Sequence, residues 1–220
     1  MTLQDKLDAF KADFEANQAP PDAIAAFHRS TQELIDQRLA DNALKVGDMA
    51  PEFNLLDADG NTISLKALLA SGPVVLTFYR GNWCPYCNLE LKALEEVVGD
   101  LRARGASLVA ISQQSQKNSQ LSQRQNDLSF PIVTDPKGDT ADAFGLRWDL
   151  QPYLTEVFKT FNVDLPLIQE DDKWTLPMPA RYVIAQDGSI VYAEVNPDYT
   201  QRPEPSDLFT VLDGLANRAA

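Results

Sequence analysis

Residues 73–98 read PVVLTFYRGNWCPYCNLELKALEEVV. The run Pro73 to Tyr79 is continuously apolar, β-branched and aromatic, and Gly72 and Gly81 bound it. Such a short, uninterrupted run predicts a central strand buried on both faces. Leu89, Leu91, Leu94, Val97 and Val98 then recur at helical spacing, so a helix follows within a few residues. Between the two lies Cys84-Pro85-Tyr86-Cys87. Pro85 suits the first helical position, where no backbone donor is lost. Cys84 therefore falls at or just before the helix start, and Cys87 one turn on.

Outward from this unit the pattern repeats. Downstream, Ala106 to Ile111 reads as a strand, Gln116 to Asn126 as a polar helix, Phe130 to Val133 as a strand, and Asp139 to Phe144 as a short helix capped by Gly145. Asp187-Gly188 between Arg181–Ala185 and Ser189–Glu194 is a hairpin signal. Leu208, Val211, Leu212 and Leu215 place an amphipathic helix over 205–219. Upstream, a turn at Asp57-Ala58-Asp59-Gly60 joins two short strand candidates. Alternating strands and helices predict an α/β domain with a partly parallel, mixed sheet over residues 46–220. Residues 146–176 break the pattern with Pro152, Pro166 and Asp171-Asp172, and read as an insertion. Residues 1–45 read as a helical N-terminal extension. Leu3, Leu7, Phe10 and Phe14 mark one helix face; Ile24, Phe27, Leu34 and Leu39 mark a second beyond Pro20-Pro21, both expected to pack on the same chain.

The 220 residues carry a formal net charge of -13. A surface this acidic repels phosphate backbones and anionic lipid, so nucleic-acid and membrane partners are not expected. The N-terminal sequence lacks the basic and apolar regions of a secretory signal, which gives a cytoplasmic expectation.

The two cysteines of the chain are Cys84 and Cys87. A bridge between them closes almost no loop and stabilises little by chain entropy. Their chemistry explains them better. Unpaired N–H groups and the positive dipole end at a helix start favour an anion, so the Cys84 thiol should fall and become more thiolate. Cys87 stands close enough to attack an oxidised or mixed-disulfide Cys84. Trp83 would shield one side of the sulfur. Structural zinc usually takes four ligands, whereas the chain offers these two cysteines and a distant His28, read as a helix-surface or packing residue.

Cys84-Pro85-Tyr86-Cys87 resembles the glutaredoxin centre, and Trp83 with the cysteine pair resembles that of thioredoxin. The wider runs GDMAPEFNLLDADGNTISL (47–65), VVLTFYRGNWCPYC (74–87) and LPMPARYVIAQDGSIV (176–191) resemble the alkyl hydroperoxide reductase/thiol-specific antioxidant, or peroxiredoxin, family, in its branch with a CxxC centre. The resemblance covers roughly residues 46–205. It implies a thioredoxin-like fold, Cys84 as the peroxidatic or attacking cysteine, and Cys87 as the resolving one. It also implies a hydroperoxide or disulfide substrate, a thioredoxin-type or glutathione-type electron donor, and no metal or organic cofactor.

The departures from the family pattern bear on the site. Where the family loop has Pro and then Thr or Ser before its cysteine, Thr77 and Gly81 stand. The family arginine before a later strand is replaced by Pro179, which either matches the cis-proline of thioredoxin-like reductases and would receive substrate, or is an ordinary loop proline before a strand. Arg80 is then the arginine placed to stabilise a Cys84 thiolate and polarise a peroxide bond, or else a strand-end surface residue. Arg181 and Arg202 are weaker candidates for the same role and read first as surface; Asn82 and Tyr86, able to supply hydrogen bonds near the sulfurs, read first as scaffold. Three activities stay open at this level: a thiol-dependent peroxidase, a thiol–disulfide reductase, and a non-catalytic redox sensor. Helical faces at both ends make a homodimer an expectation.

Overall fold

The computed structural model describes the backbone of residues 1–219 and the side chains of 1–217. The central run forms β3 (Val74–Phe78), buried at every position, and α4 (Pro85–Ala103) follows with Cys84 as its N-cap and Pro85 at N1. β4 (Ser107–Ser112) and β5 (Ile132–Thr134) continue in parallel with β3, separated by α5 (Gln116–Gln125). The hairpin predicted around Asp187-Gly188 is β8 (Ala180–Ile184) with β9 (Ile190–Val195), and β8 runs antiparallel to β3. The turn at Gly60 joins β1 (Asn54–Asp57) to β2 (Thr62–Ser64), and α3 (Leu65–Leu69) follows. The strand order is β2-β1-β5-β4-β3-β8-β9, a mixed seven-stranded sheet of the thioredoxin-like kind.

Strand alternation decides which side chains meet the helix that carries the cysteines. Val75, Leu108, Ala110 and Val183 face a core shared with α4 and with α9 (Asp207–Ala219), including Leu91, Leu94, Leu208 and Leu212. Val74, Leu76, Phe78, Val109, Ile111, Tyr182 and Ile184 face the opposite core with Leu65 and Phe144. Arg181 alternates with Tyr182 and shares the face of Val183, directly beneath α4. On α4, Cys87, Glu90, Leu91, Leu94, Val98 and Leu101 form the buried stripe at spacings of three and four. The short helix α6 (Asp139–Ala143) ends before Gly145, whose φ of +69° is left-handed and where a Cβ would meet the Asn42 carbonyl oxygen at 2.1 Å.

The N-terminal helices are α1 (Leu3–Asp13) and α2 (Pro21–Asp36), with Pro21 at the first position as expected. A π-helical turn over Phe14–Gln18 joins them, closed by the Ala19 N–H donating to the Phe14 carbonyl at 2.9 Å. α1 packs on α4, and α2 packs on α7 (Pro152–Thr160) of the 146–176 insertion. That insertion also holds α8 (Leu165–Gln169) and is flanked by a two-stranded ribbon, β6 (Arg147–Asp149) with β7 (Thr175–Pro177), which the sequence pattern did not reveal. Three-residue strands leave too short an alternation to read.

Candidate active site

The site forms where β3 ends and α4 begins. Gly81 has φ +147°, and a Cβ there would lie 2.5 Å from Trp83 Nε1, so the turn is built for glycine. Two side chains fix the following residues. The Asn82 N–H donates to Gln114 Oε1 at 2.8 Å, and Asn88 Nδ2 donates to the Asn82 carbonyl at 2.8 Å. Gln114 is itself held, its Nε2 donating to the buried Tyr79 hydroxyl at 2.7 Å. Asn82 thus acts through its backbone as scaffold. Cys84 then caps the helix, its own N–H donating to the Gly81 carbonyl at 3.1 Å.

Both cysteines are free thiols and buried, Cys84 at 1% and Cys87 at 0% exposure. Burial pushes the Cys84 thiol up. The hydrogen bond from Cys87 and the charges of Arg80 and then Arg202 outweigh it, leaving Cys84 at about 6, below the usual 9.0. Burial and the same hydrogen bond push Cys87 well above its usual range. The pair is therefore polarised, one thiolate beside one retained proton.

Arg80 is buried, and lies over the Tyr199 ring at 4.0 Å and the Trp83 ring at 4.9 Å. No carboxylate pairs with it among the described residues. Trp83 lines the same cavity as Cys84, its ring edge-on to Phe158 at 5.2 Å.

Arg181 and Arg202 correct the surface reading given to them. Glu90 is 3% exposed and accepts from Arg181 Nη2 at 2.7 Å and from Arg202 Nε at 2.6 Å. One carboxylate on the buried stripe of α4 draws two guanidinium groups into the core. Arg202 Nη2 then lies 3.9 Å from Cys87 Sγ. Glu90 carried a signal, standing three residues after Cys87 on the apolar face of a helix; the arginines did not.

Pro179 also departs from expectation. Among the described residues no peptide bond is cis. The chain passes extended from β7 into β8, with the Met178 N–H donating to the Leu146 carbonyl. Pro179 lines a void of about 20 Å³ behind Arg80 and Phe158 rather than the cavity over Cys84. His28 pairs with Glu15 at 2.8 Å on the surface.

The cavity over Cys84 has a volume of about 190 Å³. Its walls come from three places. α1, the π-turn and α2 supply Phe10, Phe14 and Phe27; the insertion supplies Phe158, Phe161 and Val163; Tyr199 and Tyr86 complete it. The rings contact one another, Phe14 to Phe161 and Phe27 to Phe161 both at 5.8 Å between centroids. This cage was not legible as a site, because its phenylalanines read as ordinary helix faces.

A thiol of lowered pKa at a helix N-cap, with a second thiol one turn behind it on a thioredoxin-like sheet, defines a thiol-redox protein. Comparison with known proteins gives the family. Residues 46–193 match the AhpC/TSA family, and the chain belongs to it. Over 110 residues the chain is 34% identical to the thiol-disulfide oxidoreductase ResA of Halalkalibacterium halodurans; the match covers 49% of this chain and 61% of that relative, less than two thirds of its length. A Mycobacterium tuberculosis (strain H37Rv) protein assigned as a peroxiredoxin is 28% identical over 153 residues, covering 70% of this chain and 86% of that one. Among solved structures, the peroxidoxin BcpB of Mycobacterium tuberculosis superposes with a TM-score of 0.61 at 22% identity, covering 79% of this chain and 97% of that one. At that identity the likeness establishes the fold. α1 and α2 lie outside the matched family segment.

Proposed function

We propose that the protein is a thiol-dependent peroxidase of the peroxiredoxin kind, working through a Cys84–Cys87 dithiol/disulfide cycle. The observation that carries this reading is the polarised thiol pair at the base of a cavity. A peroxide needs a thiolate, and at about 6 Cys84 is mostly thiolate at neutral pH.

The Cys84 thiolate attacks the distal oxygen of ROOH. A sulfur–oxygen bond forms, the O–O bond breaks, and its electron pair leaves with RO⁻, which takes a proton to become ROH. Cys84 is oxidised to the sulfenic acid and the peroxide is reduced. Arg80 stabilises first the thiolate and then the negative charge on the leaving oxygen. Cys87 then attacks the Cys84 sulfur, the disulfide forms, and hydroxide leaves with the Cys87 proton as water. Attack requires Cys87 as thiolate; Arg202, 3.9 Å from its sulfur, is placed to stabilise that charge. A thiol donor, one thioredoxin-type dithiol or two glutathione-type monothiols, then exchanges with the Cys84–Cys87 disulfide, returning two electrons and leaving as its own disulfide. No metal or organic cofactor takes part in the cycle as written.

A second reading, a thiol–disulfide oxidoreductase, is favoured by the Cys-Pro-Tyr-Cys sequence and the ResA likeness. Burial of both sulfurs beneath the aromatic cage favours the smaller substrate. Stopped-flow tryptophan fluorescence of the reduced protein against stoichiometric hydroperoxide separates the two, with Cys84→Ser as control. A fast phase lost in Cys84→Ser supports the peroxidase. Intact thiols by mass spectrometry after mixing, beside active insulin reduction, would replace it with the oxidoreductase.

A further inference from the structure

We propose that Tyr199 is the catalytic acid of the peroxidase, its phenolic proton passing to the leaving oxygen as the O–O bond breaks. This role rests on the peroxidase reading and supplies the proton that RO⁻ takes.

The need comes from the burial of the sulfur. Attack on the distal oxygen expels alkoxide or, from hydrogen peroxide, hydroxide, the conjugate base of an acid at about 15.7. Released as a bare anion among phenylalanine rings, that oxygen bears a heavy desolvation cost. A proton delivered as the bond breaks removes the charge.

The cavity walls over Cys84 carry the side-chain donors Arg80, Trp83, Tyr86 and Tyr199. A guanidinium keeps its protons in proteins, and an indole N–H only donates hydrogen bonds. The proton therefore comes from a phenol. Tyr199 is the better placed of the two. The Arg80 guanidinium carbon lies 4.0 Å from its ring centroid, and no carboxylate pairs with Arg80 among the described residues. A phenolate formed there meets an unneutralised positive charge. Arg80 is also a hydrogen-bond partner of the Tyr199 hydroxyl, and a guanidinium can only donate, so the phenolic proton stays free for an arriving oxygen. Burial pushes the Tyr199 hydroxyl up to about 12, with the Arg80 charge opposing, so the proton is in place at neutral pH. For Tyr86 burial comes first, the charges of Tyr199, Cys84 and Glu15 all add to it, and Arg80 is the least of these influences.

The turn that carries Tyr199 is pinned on both sides. Asn196 Oδ1 accepts from the Asp198 N–H at 2.9 Å, and Asp198 Oδ1 accepts from the Thr200 N–H at 3.0 Å and the Thr200 hydroxyl at 2.7 Å. Gln4 of α1 donates to the Thr200 carbonyl at 3.3 Å. This turn lies beyond the matched family residues 46–193. Tyr199 also lines a second cavity, of about 240 Å³, between α1, α2 and the turn. Through it water restores the phenol: the phenolate takes H⁺ from water, and hydroxide leaves to solvent.

The test separates peroxides by their leaving groups. Hydrogen peroxide expels hydroxide and needs the proton; peracetic acid expels acetate, a carboxylate stable as an anion at neutral pH, and does not. Stopped-flow rate constants for Cys84 oxidation are measured on the full-length reduced protein. Tyr199→Phe keeps the ring over Arg80 and should slow hydrogen peroxide by about 100-fold, the lower end of a general-acid contribution, while the peracetic acid rate holds within about twofold. The Cys84 alkylation midpoint of this variant should stay at about 6, so the loss is not one of thiolate. In the wild type, D2O at equal thiolate fraction should slow hydrogen peroxide and leave peracetic acid unchanged, a readout that does not depend on the variant folding. Equal slowing of both peroxides in Tyr199→Phe, no slowing of either, or a loss confined to Tyr86→Phe overturns the role given to Tyr199 and leaves the peroxidase standing. Wild-type oxidation by hydrogen peroxide no faster than that of a free thiol overturns both.

Discussion

Arg80→Met removes one positive charge from the neighbourhood of Cys84 while keeping an apolar side chain among Trp83, Phe158 and Tyr199. The wild-type thiol sits at about 6 against a usual 9.0. At pH 7 an acid at 6 is about nine-tenths ionised, and one at 9 only about one-hundredth. A nearby opposite charge lowers an acid by roughly one to three pH units, so its loss puts the Cys84 of Arg80→Met between about 7 and about 9. The thiolate fraction at pH 7 then falls by ~2-fold to ~100-fold, and peroxide oxidation slows with it. The midpoint is read directly from the pH dependence of alkylation by iodoacetamide, with peptide mass spectrometry assigning the modified cysteine. Arg80→Lys, which keeps the charge but not the planar stacking, should hold a midpoint nearer the wild type. Arg202→Met should move it less than Arg80→Met, because the Arg202 charge is offset by Glu90 at 2.6 Å and lies 3.9 Å from the Cys87 sulfur, whereas no carboxylate pairs with Arg80 among the described residues. A midpoint that stays at about 6 in Arg80→Met would refute the electrostatic role given to this residue.

Glu90→Gln leaves two buried guanidinium groups facing a neutral amide. The loss should be about 3–5 kcal/mol, typical of removing one partner from a buried ion pair, or roughly 6–20 °C in melting temperature for a chain of this size. The reduced protein should gain stability as pH rises from about 6 to 9, since Cys84 loses its proton at about 6 when folded and near 9.0 when unfolded. The three-unit window corresponds to ~4 kcal/mol. Above it the trend reverses, because folding keeps Cys87 protonated while the unfolded chain loses that proton. Thermal melts of reduced and disulfide forms check it: the disulfide form should lack the rise between about 6 and 9, while buried tyrosines, raised by desolvation, keep a fall above about 10 in both forms.

The parts of the site that the sequence made legible lie within one local unit. β3, the Gly81 turn, Cys84 at the N-cap and Pro85 at N1 are each dictated by neighbours a few residues away, so pattern and propensity agree. Arg80 and Trp83 inherit their positions from that unit. The misread residues are those whose environment comes from distant chain. Arg181 looks like a surface cation until β8 pairs with β3 and its alternation turns it toward Glu90. Arg202 lies more than a hundred residues from the carboxylate that buries it. Charge alone argues for exposure, and only tertiary pairing reverses that.

The aromatic cage follows the same logic with apolar residues. Phe10, Phe14 and Phe27 satisfy the helical period, so the sequence accounts for them as core. They were expected to pack on the same chain, and they do, but against the mouth of the site. Phe158 and Phe161 come from the segment whose prolines and acidic pair left its structure hardest to read. Neither segment closes the cavity alone: α2 reaches it through contact with α7, where Tyr153 donates to Glu33 Oε2 at 2.7 Å and Arg29 stacks on the Tyr153 ring at 4.2 Å. The chemistry of the sulfur is thus set by local sequence, while what may reach it is set by two remote segments and the contact between them. Substitutions at that contact should therefore alter which peroxide reacts without moving the Cys84 midpoint, whereas Arg80 substitutions should move the midpoint for every peroxide alike.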